Sequence, residues 1–361
     1  MNIALVADVH FGMKKNSPIF YQSTMNFFMN QFIPDLRSKR IHDIIILGDL
    51  FDVRESVNIK TLMGVYELLN VHMSDFNIHI LIGNHDIYHT NSNDVNVVSV
   101  MKHIPNVTVY TERDVINING LKLLIQPWLI DGDEFEAFVD QAYRDGVRFD
   151  AICGHFDIIG IRYNEFGIIS TGATKESVDP KVFSKVTDRV YTGHFHTRTI
   201  ETYKSLEGKC QIMYCGSAAQ HNFGDYGTER GYTLIDENFD ETFIENTESA
   251  KFIKLEYPTE FNQSDIENNI IQLKIESGSD SDSKAYDKYV ELMHKFNPAD
   301  KIAFVYDKSE VIESDVDIDG DYHSGTIDEL IIEFISSIDE FDGRDEVMAL
   351  LLELYLECMA S

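Results

Sequence analysis

Along the first 250 residues, short apolar runs recur between longer stretches whose apolar positions repeat at helical spacing. Ile3 to Ala7, Ile44 to Leu47, Ile80 to Ile82, Ala151 to Cys153, Val190 to Thr192, Ile212 to Tyr214 and Arg230 to Ile235 read as strands. Ser23 to Lys39 predicts a helix with Phe27, Phe28, Phe32 and Leu36 on one face; Lys60 to Met73 predicts another with Leu62, Val65, Tyr66 and Leu69. Those faces read as core or dimer surface. Strands alternating with helices place the chain in the α/β class.

Beyond about residue 250 the pattern changes. Lys251 to Tyr257, Ile270 to Ile275 and Ile302 to Tyr306 read as strands and Lys284 to Phe296 as a helix, so a small α+β unit over 251–307 follows a first domain over 1–250. Residues 308–323 form an acidic linker. Within it Asp315 to Gly320 imitates the first half of an EF-hand loop, but Thr326 stands where the bidentate glutamate belongs. Residues 324–361 predict a helical hairpin. Thr326 and Glu329 make a capping box, and Ile327, Leu330, Ile331, Phe334, Ile335, Ile338 and Phe341 an apolar stripe; after Gly343, Val347, Leu350, Leu351, Leu354 and Cys358 make a second. Two short helices cannot build a core alone, so the stripe must dock on something.

The strand ends carry the chemistry. Ile3 to Ala7 opens onto Asp8 and His10; four other runs end in glycine followed at once by Asp49, Asn84, His155 and His194, with His196 two residues on. In an open α/β sheet ligands collect beyond the carboxyl ends of the strands, where glycine lets the backbone turn and approach closely, so these motifs are expected to converge. Asp8 and His10, two apart on an extended segment, leave the same face, and His194 and His196 repeat that spacing. If Asp49 bridges two cations, these seven side chains supply four protein bonds per metal and leave positions open, as catalytic sites do. Imidazole, carboxylate and amide without thiolate point to manganese, iron or zinc, since magnesium takes fewer nitrogens; two manganese ions are the expected pair.

This ordered set, Asp8 to His10, Gly48 to Asp52, Gly83 to Asp86, Gly154 to Phe156 and Gly193 to His196, resembles the calcineurin-like metallophosphoesterases. Within them it is most similar to the SbcD-like nucleases, relatives of the meiotic-recombination-eleven family, and there to the nuclease subunits of T-even-type phage recombination complexes. The motifs span about the first two-thirds of the chain. The resemblance implies a β-sandwich flanked by helices, a capping domain over 251–307 that guides DNA, and a C-terminal hairpin. In that hairpin Leu330, Phe334, Leu350 and Leu354 would grip the coiled-coil root of an SbcC-type, SMC-like ATPase. It implies one metal held by Asp8, His10, Asp49 and His196, the other by Asp49, Asn84, His155 and His194. His85 looks like the family's catalytic histidine, protonating the leaving oxygen of a scissile phosphodiester, with Asp86 as its orienting partner. Where archaeal and eukaryotic members carry a second histidine, this chain has Asp52, read as a carboxylate behind the ligands. The Gly216-Ser217 turn is similar to a loop that closes the site in this family, though a plain β-turn predicts the same residues.

The implied activity is a manganese-dependent DNA exonuclease and single-strand endonuclease, a homodimer acting in recombination, repair and replication. A phosphatase or nucleotide phosphodiesterase that does not act on DNA would use the same metals. Serine/threonine phosphatases, however, place arginine and glutamate where this chain has Val53 and Asp86.

Composition changes this picture in two places. With 361 residues, 43% of them hydrophobic, the chain can bury a large core and spare a second unit. It shows no membrane span, its first strand carries ligands rather than a cleavable leader, and Cys153, Cys210, Cys215 and Cys358 have no paired spacing, so a reducing cytoplasm is expected. The net charge of −31 sits badly with DNA, whose phosphates demand lysine and arginine. Most of that excess lies beyond the first three motifs, and two bound cations add about four positive charges at the site. Lys14, Lys15, Arg54, Lys60 and Arg113 could line a DNA path, although scattered solvated cations are the plainer reading of any one of them.

Overall fold

Ile3, Leu5, Ile45, Leu47 and Leu81 face one apolar layer, whereas Ala4, Val6, Ile44, Ile46, Ile78 and Ile80 face another. Side chains leave a strand on alternate faces. Here both faces are covered, which is why these segments read as continuous apolar runs rather than as an alternation. The structure, a computed structural model, describes residues 2–306 apart from 53, 55, 163–168, 173 and 276–283. The expected acidic linker and hairpin, with Leu330, Phe334, Leu350 and Leu354, lie outside the described residues.

The chain divides into two units, Met1–Ile253 with Asn268–Ile270, and Lys254–Glu267 with the residues from Ile271 on. In the first, beside a small hairpin of Ile87–His89 and Ser92–Asn96, the strands of the two large sheets are β1 (Ile3–Val6), β2 (Asp43–Leu47), β3 (Asn77–Leu81), β4 (Val107–Tyr110), β5 (Asp114–Ile118), β6 (Leu121–Gln126), β7 (Ala151–His155), β8 (Arg189–Gly193), β9 (Thr199–Lys204), β10 (Lys209–Tyr214), β11 (Gly231–Ile235) and β12 (Glu241–Glu245). They make two six-stranded sheets, ordered β12-β11-β1-β2-β3-β4 and β9-β10-β8-β7-β6-β5. Each sheet has a parallel centre, β1-β2-β3-β4 and β6-β7-β8-β10, with antiparallel strands at its margin. Between the sheets lie Leu5, Leu47, Leu81, Ile125, Cys153, Tyr191 and Met213; this is the β-sandwich.

The helices cover the outer faces. The first begins at Pro18, earlier than the apolar spacing predicts, because proline fits a first helical turn where its missing N–H costs nothing. Pro34 then sits inside the helical run, and a widened π turn over Phe27–Phe32 lies just before it, where a regular i to i−4 ladder would lose a bond. Phe27, Phe28, Phe32 and Leu36 are all core. The second predicted helix runs Ile59–Glu67 and continues as a π turn to His72, capped by Asn58, whose side chain accepts from the Lys60 N–H at 2.9 Å. Val65 and Leu69 are buried on it, whereas Ile59 and Met63 are exposed, at 78% and 60%.

The second unit is a three-stranded sheet, β13 (Phe252–Tyr257), β14 (Ile270–Ile275) and β15 (Ala303–Tyr306), in that order. With the helix Lys284–Lys295 it buries Ile271, Leu273, Ile275 and Met293. Among the described residues no helix is long and apolar enough to cross a membrane.

Candidate metal centre

Because β1, β2 and β3 run parallel in one sheet and β7 and β8 parallel in the other, their carboxyl ends deliver all seven expected ligands to one place. The approach is too close for side chains at the turns. A Cβ on Gly48 would stand 2.3 Å from His155 Nδ1, and one on Gly83 would stand 2.1 Å from Asp49 Oδ1. Ligands themselves bear backbone strain: Asp8, His10, Asp49 and His194 have φ of 50°, 51°, 51° and 93°. Such conformations cost on the order of 1–3 kcal/mol each and persist where the surroundings dictate them. Here the His10 N–H donates to Asp49 O at 3.0 Å and the His194 N–H to Asp8 Oδ1 at 2.9 Å.

Of four groups of donor atoms among the described residues, one joins His10 to His196 and His221, one joins His10 to Asp52 and His85, and two share Asp49. In one of these two, Asp8, His10 and Asp49 lie together, with His196 Nε2 3.2 Å from His10 Nε2. In the other, His155 Nε2 is 3.3 Å from Asp49 Oδ2 and 3.0 Å from Asn84 Oδ1, which is 2.9 Å from His194 Nδ1. Asp8 Oδ2 is buried without a hydrogen-bond partner. Buried carboxylates, an orphaned oxygen and imidazole nitrogens crowded at hydrogen-bond distance are what a divalent cation stabilises and water cannot, so the donor set fits two divalent cations.

The electrostatics agree. Burial, with Asp49 adding to it, pushes the Asp8 carboxyl up to about 6 against the pull of His155 and His10. Burial would also raise Asp49, but His155 and His85 hold it well below the usual range. Burial would lower His10 and His155, yet Asp52 and Asp49 hold the first at about 9 and Asp49 chiefly holds the second there. His194 falls to about 4 through burial and the charge of His155.

Beside the ligands, Asp52 Oδ1 accepts from His10 Nδ1 at 3.2 Å. His85 points its Nδ1 at the backbone carbonyl of Asp52, 2.9 Å away, and its own N–H donates to Asp49 Oδ1 at 2.8 Å. Asp86 does not orient His85, contrary to the expectation from sequence. Its carboxylate turns inward, accepting from the N–H groups of Gly83 at 2.9 Å, Phe51 at 3.0 Å and Leu50 at 3.4 Å. Buried N–H groups must find acceptors, and those of this turn take Asp86, leaving a carbonyl for the imidazole. Of the proposed DNA-path cations, Lys14 and Lys15 are exposed, whereas Arg113 is committed to Gln126 and Glu134 and lies 4.0 Å above Phe138. The Lys60 ammonium stands 5.6 Å from the Tyr21 ring.

Two residues at the centre escape the sequence reading. Trp128, the single tryptophan, stands 4.9 Å from the His194 ring and 5.8 Å from that of His155. His221 packs on His196 and His10 at 4.5 and 4.9 Å between ring centroids. Neither follows a glycine at a strand end, and the signal for His221 was its position four residues beyond the Gly216-Ser217 turn.

A family of proteins described as calcineurin-like phosphoesterases matches residues 1–198. Among solved structures, an archaeal phosphodiesterase is similar over 68% of this chain and 99% of its own, with 14% identity and a TM-score of 0.34. GAP50, the anchor in the inner membrane complex of Plasmodium, is similar over 69% of this chain and 85% of its own, with 11% identity and a TM-score of 0.40. No curated protein sequence matches the chain. With the family match extending over more than half of the sequence and the ligand motifs meeting at one centre, the chain belongs to the calcineurin-like phosphoesterase family.

Proposed function

We propose that the protein is a manganese-dependent DNA nuclease, the nuclease subunit of a recombination and repair complex with an SbcC-type ATPase in a bacterial cytoplasm. The family supplies the coarser statement, hydrolysis of phosphoesters with two divalent metals. Asp8, His10, Asp49 and His196 would hold one ion, and Asp49, Asn84, His155 and His194 the other. Bound cations supply Lewis acidity toward the phosphate and a water of lowered pKa.

The observation that carries the phosphodiester reading is the placement of His85. Its Nδ1–H donates to the Asp52 carbonyl, which leaves Nε2 as the basic nitrogen; the His85 backbone N–H donates to Asp49 Oδ1, and the ring centroid lies 4.8 Å from that of His10. Protonated at Nε2, His85 would give that proton to the departing ester oxygen as the P–O bond breaks and water adds to phosphorus, the water's own proton going to solvent; burial lowers the His85 pKa, so the protonated ring gives its proton up readily. DNA is favoured over smaller esters by the SbcD-like motif order and by the α+β unit that follows the sandwich. The exposed Ile59 and Met63 support a second copy of the chain as partner. The second reading, a phosphodiesterase acting on a small nucleotide, is favoured by the net charge of −31.

Chelated protein given back manganese should cleave single-stranded DNA and bis(p-nitrophenyl) phosphate, with magnesium supporting little turnover. Hydrolysis of cyclic nucleotides with DNA left intact establishes the second reading, and full activity after chelation contradicts both.

A further inference from the structure

Each histidine that turns Nε2 to a cation position needs its proton on Nδ1, and an acceptor there fixes that tautomer. His10 has Asp52 Oδ1 at 3.2 Å, and His155 has the Leu47 carbonyl at 2.7 Å. His196 faces neither a carboxylate nor a carbonyl with that nitrogen. Its Nδ1 stands 3.2 Å from Nδ1 of His221, while its Nε2 stands 3.2 Å from Nε2 of His10. A cation facing the two Nε2 atoms would take both of their lone pairs, whereas the Nδ1 pair, joined by a hydrogen bond, needs one donor and one acceptor.

We propose that His221 is a positioning residue of the metal centre: it accepts the Nδ1–H of His196 and so presents His196 Nε2, lone pair free, to the cation position shared with His10. The inference rests on the two-metal reading and adds a residue outside every motif of the ligand set.

The loop that carries His221 is fixed at both ends. Ala218 donates its N–H to Ala7 O at 3.1 Å, one residue before Asp8, so the loop is registered on the strand that brings the first ligands. The His221 N–H donates to Asp225 Oδ2 at 2.7 Å, and Asp225 Oδ1 pairs with Arg230 at 2.7 Å, both residues buried. Gln220 accepts the Phe252 N–H at 2.8 Å. These bonds fix the backbone that carries the ring, whose Nε2 is buried without a hydrogen-bond partner.

His221→Asn keeps an acceptor near the Nδ1 position but less volume; His221→Leu keeps volume without an acceptor. Manganese binding by equilibrium dialysis should show two ions in the wild type and in the asparagine variant, with one of the two affinities about 10–100-fold weaker in the leucine variant. Equal affinities in wild type and His221→Leu overturn the proposal. So does equal loss in both variants, which means packing alone, or a third ion lost with His221, which makes it a ligand. Wild type that binds no ions sinks the two-metal reading together with this one. The wild type also tests the idea directly, whatever the variants do. Long-range proton–nitrogen spectra of the zinc-loaded protein should show His221 Nδ1 unprotonated and His196 Nδ1 protonated; the reverse pattern overturns the assignment.

Discussion

His85 donates its Nδ1–H to the backbone carbonyl of Asp52, 2.9 Å away, so the orientation of the candidate acid depends on main chain rather than on a carboxylate. A carbonyl fixes the ring without adding charge to it. His85→Asn can keep that hydrogen bond while losing the titrating nitrogen. It should retain both metals and lose turnover of bis(p-nitrophenyl) phosphate by on the order of 10² to 10⁴. Parallel loss of bound metal would show the role misassigned.

Asp86 holds the turn. Asp86→Ala leaves the N–H groups of Gly83, Phe51 and Leu50 without their acceptor, at about 1–3 kcal/mol for each that water cannot reach. Urea unfolding of the chelated protein should therefore show a lower midpoint with an unchanged slope. Wild-type stability in that variant would contradict the arrangement.

Asp49 belongs to both donor groups and His196 to one. Asp49→Ala should abolish tight binding of both ions, and His196→Ala that of a single ion, as read by metal analysis after dialysis. Identical stoichiometry in the two variants would mean that the groups do not share Asp49.

Proton release should accompany metal binding. His10 and His155 are held at about 9, so near pH 7 each carries a proton that a cation must displace. Affinity should rise as pH climbs from 7 toward 9. Calorimetry at pH 7 in two buffers of different ionisation enthalpy should give different heats, and equal heats would refute it.

The C-terminal stripe gives a prediction that needs no centre. If the hairpin docks on an SbcC-type ATPase as proposed, Phe334→Asp should abolish that association, because a carboxylate resists entry to an apolar groove. Turnover of a small phosphodiester should stay at the wild-type level. Co-purification and kinetics read the two arms separately.

The convergence of these side chains was legible because strand and chemistry coincide in the sequence: an apolar run, a glycine, then Asp49, Asn84, His155 or His194. Apolar runs such as Ile44 to Leu47 also announced strands, whereas the split into two sheets came only with the family resemblance, since Ala151 and Ile3 read alike. Asp86 misled because the resemblance made it the partner of His85, whereas the turn's own N–H groups claimed the carboxylate. His221 and Trp128 were hidden for the opposite reason. They reach the centre through loops whose course depends on tertiary contacts such as Ala218 with Ala7.

The sharing of the centre between sheets has a further consequence. His10 and His196 lie 186 residues apart along the chain, on loops that leave different sheets. A cation gripped by both closes that span as a covalent cross-link would, and closing a long loop removes the most freedom from the unfolded chain. Ions held as proposed would then act as fasteners of the sandwich as well as reagents, and scarcity of metal would shorten the lifetime of the protein along with its turnover.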